Sequence, residues 1–304
     1  MSNGQRGATV LERDGYIAGV PCWIDTAQAD PEAAVAFYGG LFGWQFEDAM
    51  PPGSPGPYFI ARLHGGDVAA ITGRPEGAPP EARWNTYVWV DSADDAAARV
   101  RAAGGTVPME PFDVMSAGRM AVCADPDGAE FRVWQAGEHR GARIVNEPGT
   151  LNFNSLSTRD VSGAIAFYGA VFGWGTVDMP SDSRMWALPG YAEFLEQSDP
   201  GHRERMAEAG APDGFADAVA ILSPLGDDQI GVASHWSVTF AVEDADATAR
   251  RADGLGGHVV VPPIDAPWVR TTVITDPQGA TFVASQFVPG NRDVSAQTGS
   301  ATAA

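Results

Sequence analysis

The stretch DPEAAVAFYGGLFGW at residues 30–44 returns as DVSGAIAFYGAVFGW at residues 160–174. Both copies begin with Asp, carry Phe-Tyr at matched positions and end in Phe-Gly-Trp, at an offset of 130 residues. Self-similarity at a fixed spacing is typical of a duplicated structural unit. The repeat therefore predicts that the chain is one module used twice.

Two further blocks recur in the same order. They are VWVD and a Gly-Gly pair within 88–105, matched by FAVE and Gly-Gly within 240–257, and the turn DPDG at 125–128, matched by DPQG at 276–279. The offset grows to 152 for the first block and 151 for the second. The second copy must therefore carry an insertion, which we place around residues 189–232.

The pattern of each copy predicts a strand, a helix and several further strands. Asp30 and Asp160 precede the periodic apolar positions, and an Asp there caps the first turn of a helix. Gly43 and Gly173 stand where a helix ends in a left-handed residue. The Asp-Pro-x-Gly tetrapeptides are turn sequences between two strands.

Length and charge limit the classes of function. At about 150 residues per domain, 304 residues suggest two domains. Nineteen Arg and no Lys face 39 acidic residues, and the net charge of −20 is spread along the whole chain. Without clustered basic residues, nucleic acid and anionic membrane surfaces are poor partners. Without Lys, a Schiff base or a phosphate-binding lysine is excluded.

Neither membrane insertion nor export is predicted. No stretch approaches the ~20 apolar residues that span a bilayer. Residues 1–15 are polar and lack the apolar core of a signal peptide. Cys22 and Cys123 are too few for a disulfide framework. We therefore expect a cytoplasmic protein with two reduced, buried thiols.

These observations predict a division of the chain into four parts. They are an N-terminal tail at 1–15, a first module at 16–147, a second module at 148–290 and a disordered tail at 291–304. The insertion should contain a charged helix that starts near Asp199 and ends at Gly210. It could close over a pocket as a lid or decorate the surface, and the sequence leaves both open.

The three repeated blocks resemble the glyoxalase/bleomycin-resistance/dioxygenase superfamily, also called the vicinal oxygen chelate proteins. The resemblance covers Gly19 to about Val288 and is nearest to the tandem two-module branch described as hydroxylase-like. It implies an α+β fold of two tandem modules, each made of paired βαβββ units whose curled mixed sheets form cups. Cups within each module and cups shared between the modules both remain possible.

Strand alternation predicts which side chains face a cup. The polar and aromatic positions of the predicted strands give the candidate ligand-binding residues Cys22, Asn85, Tyr87, Trp89, Arg132, Trp134, Asn152 and Asn154. The same alternation predicts that Ile24 faces the cup, that Trp23 lies in the hydrophobic core and that Phe153 packs beneath the helices. The matching wall of the second module offers only Ser237, Thr239, Val283 and Ser285.

The resemblance also bears on metals, because metal-dependent members present His or Glu at a few strand positions. In this sequence those positions hold Cys22, Ala70, Asn85 and Arg132, and then Asn152, Ile221, Ser237 and Val283. None is a His or a carboxylate, and divalent metal sites need several such ligands. The five histidines have no repeat partners, and nucleotide-binding motifs are absent. We therefore predict no metal and no cofactor.

The resulting expectation is a protein that binds a small organic metabolite or antibiotic without a catalytic metal, as bleomycin-resistance-like members do. The alternative is an enzyme of the same fold (a lyase, an isomerase or a hydroxylase-like enzyme, less readily a metal-dependent glyoxalase or dioxygenase). The sequence assigns no catalytic residue that would decide. A third possibility is a structural protein whose own side chains fill the cups. Because one chain carries both modules, a monomer is expected.

Overall fold

The computed structural model describes residues 11–77, 81–179 and 183–294. Its strands are β1 (Pro21–Gln28), β2 (Gln45–Asp48), β3 (Tyr58–Leu63), β4 (Gly66–Gly73), β5 (Trp84–Trp89), β6 (Thr106–Val114), β7 (Gly118–Ala124), β8 (Glu130–Ala136), β9 (Leu151–Thr158), β10 (Gly175–Asp178), β11 (Arg184–Ala187), β12 (Ala218–Pro224), β13 (His235–Ala241), β14 (His258–Ala266), β15 (Val269–Thr275) and β16 (Thr281–Phe287). Its helices are α1 (Pro31–Phe42), α2 (Ala93–Ala102), α3 (Val161–Phe172), α4 (Tyr191–Ser198), α5 (His202–Glu208) and α6 (Ala245–Gly254).

Each module forms one eight-stranded mixed sheet. The strand order is β2-β3-β4-β1-β5-β8-β7-β6 in the first sheet and β10-β11-β12-β9-β13-β16-β15-β14 in the second. The predicted α+β fold of tandem modules is therefore confirmed. Every strand of a sheet comes from one module, so the cups form within each module and are not shared.

The repeated stretch forms the first helix of each module, with the predicted ends. Asp30 caps α1 by accepting a hydrogen bond from the backbone N–H of Ala33, and Asp160 caps α3 through Gly163. Gly43 ends α1 with a φ of 75°, a left-handed conformation that costs glycine little. Local sequence is sufficient for these helix ends.

The two modules are joined because the first helix of each module bonds to a turn of the other module. The Tyr38 hydroxyl on α1 donates a 2.9 Å hydrogen bond to Asp276, in the Asp-Pro-x-Gly turn of the second module. In the reverse direction, the Tyr168 hydroxyl on α3 donates to Asp125 in the turn of the first module, at 3.1 Å. The Phe-Tyr block and the turn block of the repeat therefore meet across the two modules.

The same exchange continues in the hydrophobic core. Phe42 at the end of α1 packs on Phe240 of β13, with ring centroids 4.9 Å apart. Phe131 of β8 packs on Tyr168 of α3 with centroids 5.7 Å apart. Each helix thus fills the core over half of the other module's sheet, so burial of apolar surface holds the two modules together.

A β-bulge changes the phase of the first strand in both modules. In β1, Pro21 pairs with Val88 and Trp23 with Tyr87, which leaves Cys22 as the extra residue. In β9, Asn152 is extra in the same way, between Leu151 and Phe153. An extra residue shifts every following side chain to the opposite face. The bulge overturns the predicted phase of both strands.

The insertion contains two helices, α4 and α5, rather than one. It is anchored at its start by Leu188, whose N–H donates to the carbonyl of Asp217. Directly after α5, the carbonyl of Ala209 accepts a 3.2 Å hydrogen bond from the indole of Trp268, which lies in the β14–β15 turn. The insertion therefore links two strand pairs at opposite edges of the second sheet.

Part of the predicted N-terminal tail lies against the protein. The guanidinium of Arg13 donates to the hydroxyl of Tyr191 on α4 at 2.5 Å, and the Arg13 N–H donates to the carbonyl of Arg143. Residues 1–10 of the predicted N-terminal tail and 295–304 of the predicted C-terminal tail lie outside the described residues. Residues 291–294 of the C-terminal tail are described. Among the described residues, the helices are too short or too polar to cross a bilayer.

Candidate functional site

The concave face of the first sheet, which lies away from α1 and α2, collects polar and aromatic side chains from three central strands. Across β1 and β5, Trp23 is opposite Tyr87, and Asp25 is opposite Asn85. Directly opposed residues of antiparallel strands share a face. Between the parallel strands β5 and β8, Tyr87 lies beside Arg132. These five side chains therefore line one surface.

Asp25 is the centre of a hydrogen-bonded cluster on this face. Its carboxylate accepts hydrogen bonds from the Tyr87 hydroxyl at 2.6 Å, the Asn85 amide at 2.7 Å and the Tyr58 hydroxyl at 3.3 Å. Only 4% of Asp25 is exposed. A buried carboxylate is stable when such donors replace water. We call Asp25, Tyr58, Asn85 and Tyr87 the Asp25 cluster.

Both phenols of the Asp25 cluster remain protonated. Burial, and then the neighbouring Asp25 carboxylate, raise the pKa of Tyr58 and Tyr87 well above the ordinary value of 10.0. Arg132 has the opposite effect on the pKa of Tyr87, because a cation favours the phenolate. The phenols therefore act as hydrogen-bond donors, and they hold Asp25 in one orientation.

Arg132 supplies a cation to the concave face. It is half-buried on β8, and within the described parts of the chain its guanidinium forms no salt bridge. Asn85 and Tyr58 are also half-buried, so the polar edge of the site keeps contact with solvent. A guanidinium offers five N–H donors in a planar fork that suits carboxylates and other anionic oxygens. This edge can receive an anionic or carbonyl oxygen.

His139 completes the site, and the sequence analysis did not select it. Its ring packs edge-on against Trp23, with centroids 4.4 Å apart, and lies 5.7 Å from the ring of Trp134. The Trp134 indole donates to the His139 carbonyl at 3.1 Å, which fixes the backbone. The imidazole Nε2 is buried and has no hydrogen-bond partner. Burial lowers the pKa of His139, although the carboxylates of Asp67 and Asp25 oppose the shift.

A small cavity lies beside His139. Its volume is about 190 Å³, and its lining consists of six charged side chains, one histidine and one glycine: Arg13, Asp14, Asp67, Glu138, His139, Arg140, Gly141 and Arg143. A wider groove of about 320 Å³, lined by Val161, Arg184, Leu222 and Pro224, lies on the second module away from the Asp25 cluster. His139 is the lining residue of this cavity whose ring also contacts Trp23 and Trp134.

Four of the predicted site residues come together on the concave face, namely Asn85, Tyr87, Arg132 and Trp134. Trp89 shares their face but lies at its edge, where Arg140 stacks over its ring at 5.4 Å and Tyr16 packs against it. Whether these residues bind a ligand stays a prediction.

The predicted orientation of the β1 and β9 residues is wrong, for one physical reason. Cys22 and Asn152 are the bulged residues: Cys22 is fully buried, and Asn152 bonds to Asn146 in the connection between modules. Beyond the bulge, Asn154 lies in the interior, where its side-chain oxygen accepts a 2.7 Å hydrogen bond from Thr86. Trp23 faces the cup, where Ile24 was predicted. Asp25 is two residues after Trp23 on the strand, so it faces the cup as well.

The concave face of the second module carries a different chemistry. The positions equivalent to Asp25, Asn85, Tyr87 and Arg132 hold Ser155, Ser237, Thr239 and Val283. Hydroxyl groups replace the carboxylate and the phenol, and no cation stands in the place of Arg132. The concave face of the first module therefore carries more polar and charged groups at these positions, and its role as the better binding site stays a prediction.

Comparison with known proteins identifies the family. The model of the Glyoxalase/Bleomycin resistance protein/Dioxygenase superfamily matches residues 23–133 and 150–283. The chain belongs to this superfamily. The two matched segments coincide with the two sheets, so the resemblance noted in the repeated blocks is confirmed in both modules of this superfamily member.

Several curated members of the superfamily are similar along most of their length. The chain is 41% identical over 276 residues to "Putative glyoxylase CFP32" of Mycobacterium bovis, covering 89% of this chain and 96% of that protein. It is 34% identical over 280 residues to "Anthracycline biosynthesis protein DauV" of a Streptomyces species, covering 88% and 93%. Both relatives therefore have the same two-module extent.

Solved structures of the superfamily show the same fold at low sequence identity. The Mn(II)-bound glyoxalase of Novosphingobium aromaticivorans aligns with a TM-score of 0.56 at 16% identity, covering 88% of this chain and 82% of that one. The halotolerant catechol dioxygenase BphC aligns with a TM-score of 0.56 at 12% identity, covering 89% and 87%. At these identities the likeness concerns the fold alone.

The donor set on the concave face does not fit the divalent metal that one of these structures contains. Asp25 is its single carboxylate, and three hydrogen bonds already occupy that group. Arg132 adds a positive charge nearby, which repels a cation. In the described residues, no three His, Cys, Asp or Glu side chains are grouped closely enough to hold a metal ion.

We expect purified protein to contain much less than one divalent metal ion per chain, because one engaged carboxylate and one imidazole are too few ligands. Elemental analysis after gel filtration in chelator-free buffer checks this. One tightly held ion per chain that survives dialysis would contradict the prediction.

Proposed function

We propose that the chain binds a planar aromatic small molecule, with an anionic or conjugated carbonyl group, on the concave face of the first module and without a catalytic metal. The observation that carries the proposal is Arg132 beside Tyr87 of the Asp25 cluster, on the same face as the indoles of Trp23 and Trp134. Ligand sites typically combine such an aromatic lining with a few convergent polar groups.

The two kinds of side chain have separate tasks in this proposal. Trp23 and Trp134 are only 2% and 5% exposed in the unliganded protein, so a conjugated ring stacks on these indoles once neighbouring side chains move aside. Arg132 donates charge-assisted hydrogen bonds to an oxygen of the ligand, which are stronger than bonds between neutral groups. The Asp25 cluster keeps the floor rigid, so little entropy is lost in ordering the site when the ligand binds.

The names of the relatives support an aromatic ligand. Two proteins that are 34% identical to this chain over 280 residues are named anthracycline biosynthesis proteins. Anthracyclines contain a planar quinone fused to aromatic rings, with conjugated carbonyl and phenol oxygens. A ligand of this chemical class matches both the indoles and the guanidinium.

Titration with anthraquinone-2-carboxylate tests the proposal, with uncharged 2-(hydroxymethyl)anthraquinone as the matched control. We expect quenching of tryptophan fluorescence, one site per chain by calorimetry and tighter binding of the carboxylate. Absence of binding up to the solubility limit of both compounds would overturn the proposal. Equal affinities would remove the guanidinium from the recognition of the ligand.

We also propose that the protein is a cytoplasmic monomer whose partner is a small molecule. Both halves that build a cup lie in one chain, and the exchanged contacts of α1 and α3 are made within it. Sedimentation velocity at several protein concentrations should show a single species near the monomer mass of 31.9 kDa. A dimer whose proportion does not change with concentration would contradict this expectation.

A further inference from the structure

We propose that the concave site of the first module also transfers protons: His139 Nε2 takes a proton from carbon in the bound molecule, and Arg132 stabilises the anion that forms. The inference rests on the proposed function, because it assigns chemistry to the same site. Its starting observation is a buried imidazole nitrogen without a partner, placed between two indoles of the ligand surface.

The unpartnered Nε2 points to a ligand, because buried polar atoms in proteins are nearly always hydrogen-bonded. Leaving such an atom without a partner costs free energy in the unliganded protein. The ring is held by contacts with Trp23 and Trp134, and the backbone N–H of His139 donates to the carbonyl of Ala117. A fixed nitrogen with a free lone pair is what a general base requires.

The protonation state of His139 is also suitable. Burial lowers its pKa below the ordinary value of 6.5, so the imidazole is neutral at pH 7 and can accept a proton. Asp67 on β4 and Asp25 on β1 act in the opposite direction and would stabilise the imidazolium that forms. The phenols of Tyr58 and Tyr87 donate to Asp25, so they do not compete for Nε2.

Arg132 is positioned to receive the negative charge. It lies two residues before Trp134 on β8 and on the same face, and the Trp134 ring lies beside His139. Successive residues on one face of a strand are roughly 7 Å apart, about the width of one aromatic ring. A donor placed where charge develops lowers the barrier for removal of the proton. Trp134 therefore connects the two groups: its ring lies beside His139, and Arg132 is the preceding residue on the same face of β8.

The ring opening of 5-nitrobenzisoxazole is the probe reaction. Nε2 takes the proton from C3, the electrons of the C–H bond complete a nitrile, and the N–O bond breaks to release coloured 2-cyano-4-nitrophenolate. The imidazolium then returns its proton to water. No oxidant, metal or second substrate is needed. The chain contains no Lys, so lysine amines do not contribute to the observed rate.

We expect the wild-type protein to open the ring with saturation kinetics above the buffer rate, and H139Q to lose about 10²-fold in kcat, the usual contribution of a general base. H258Q is the matched control, because His258 is exposed at the start of β14 in the other module and should keep the full rate. Activity of H139Q equal to that of the wild type would overturn the inference.

The pH profile of the wild type keeps the inference testable even if H139Q does not fold. The rate should rise with pH and reach a plateau, with a midpoint below 6.5, since only the neutral imidazole accepts a proton. The charged and titratable groups near His139 are Asp25, Asp67, Tyr58, Tyr87, Arg13, Asp14, Glu138, Arg140 and Arg143. A rate that rises in proportion to hydroxide, without a plateau, would overturn the inference.

Failure of this inference and failure of the proposed function give different results. If the protein binds anthraquinone-2-carboxylate but opens 5-nitrobenzisoxazole no faster than buffer, the proton-transfer role is wrong and ligand binding stands. If neither aromatic compound binds by calorimetry, both proposals are wrong. Saturable ring opening that depends on His139 supports both.

Discussion

Replacing Asp276 by alanine should lower the free energy of unfolding by roughly 2–6 kcal/mol. The change leaves the Tyr38 O–H and one N–H of the Gln28 amide as two buried donors without acceptors, while the Gln28 amide keeps its bond to Thr26. Each such donor costs about 1–3 kcal/mol. The Asp276 carboxylate also accepts from the backbone N–H groups of Gln278 and Ala280, so the Asp-Pro-x-Gly turn loses its internal support as well.

The chain offers two controls for this effect. D125A removes the equivalent carboxylate of the first module, which accepts from only one buried side chain, Tyr168, so its loss should be smaller. D94A removes a surface partner of Arg119 from an ion pair that solvent screens, so it should destabilise the fold far less than D276A does. Urea denaturation followed by circular dichroism measures all three. A loss for D276A no larger than that for D94A would show that the turn does not hold the modules together.

Replacing Arg132 by alanine should weaken the binding of anthraquinone-2-carboxylate by about 10- to 100-fold. A hydrogen bond to a charged group contributes roughly 1.5–3 kcal/mol, which corresponds to that change in Kd. The fold should tolerate the change, because Arg132 is half-buried and makes no salt bridge within the described residues. Calorimetric titration of the folded variant gives the measurement.

V283A is the matched control, since Val283 occupies the equivalent strand position of the second module. We expect its affinity for the carboxylate to equal that of the wild type. The uncharged anthraquinone should lose little affinity in R132A, because it gains no charge-assisted bond. If R132A binds the carboxylate as tightly as the wild type does, Arg132 does not belong to the binding site.

Part of the candidate site was accessible from the sequence. Asn85, Tyr87, Arg132 and Trp134 lie on β5 and β8, where regular alternation holds, and their shared face is as predicted. Asp25 was missed because the bulge at Cys22 shifts the phase of β1, and nothing in the local composition marks a bulge. Strict alternation of side chains along β1, without the bulge, predicts the opposite face for Asp25.

His139 was missed for a different reason. It follows the last strand of the first module, has no counterpart in the second and belongs to no periodic pattern. Its place depends on backbone hydrogen bonds that return the chain toward the β6–β7 turn, where the N–H groups of Gly137 and His139 donate to the carbonyl of Ala117. The one available signal was its position five residues after Trp134.

By itself, the sequence determined the duplication, the capped ends of α1 and α3, the order of strands and helices, and the acidic surface without Lys. These properties depend on residue type and on spacing along the chain, which short-range steric and hydrogen-bonding rules govern. The tertiary structure alone decided that the cups form within modules, that Tyr38 and Tyr168 bond to carboxylates of the opposite module, and that Asp25 and His139 join Arg132. Contacts between different strands, helices and loops depend on how whole sheets and helices pack, and one bulged residue is enough to reverse the face of a strand.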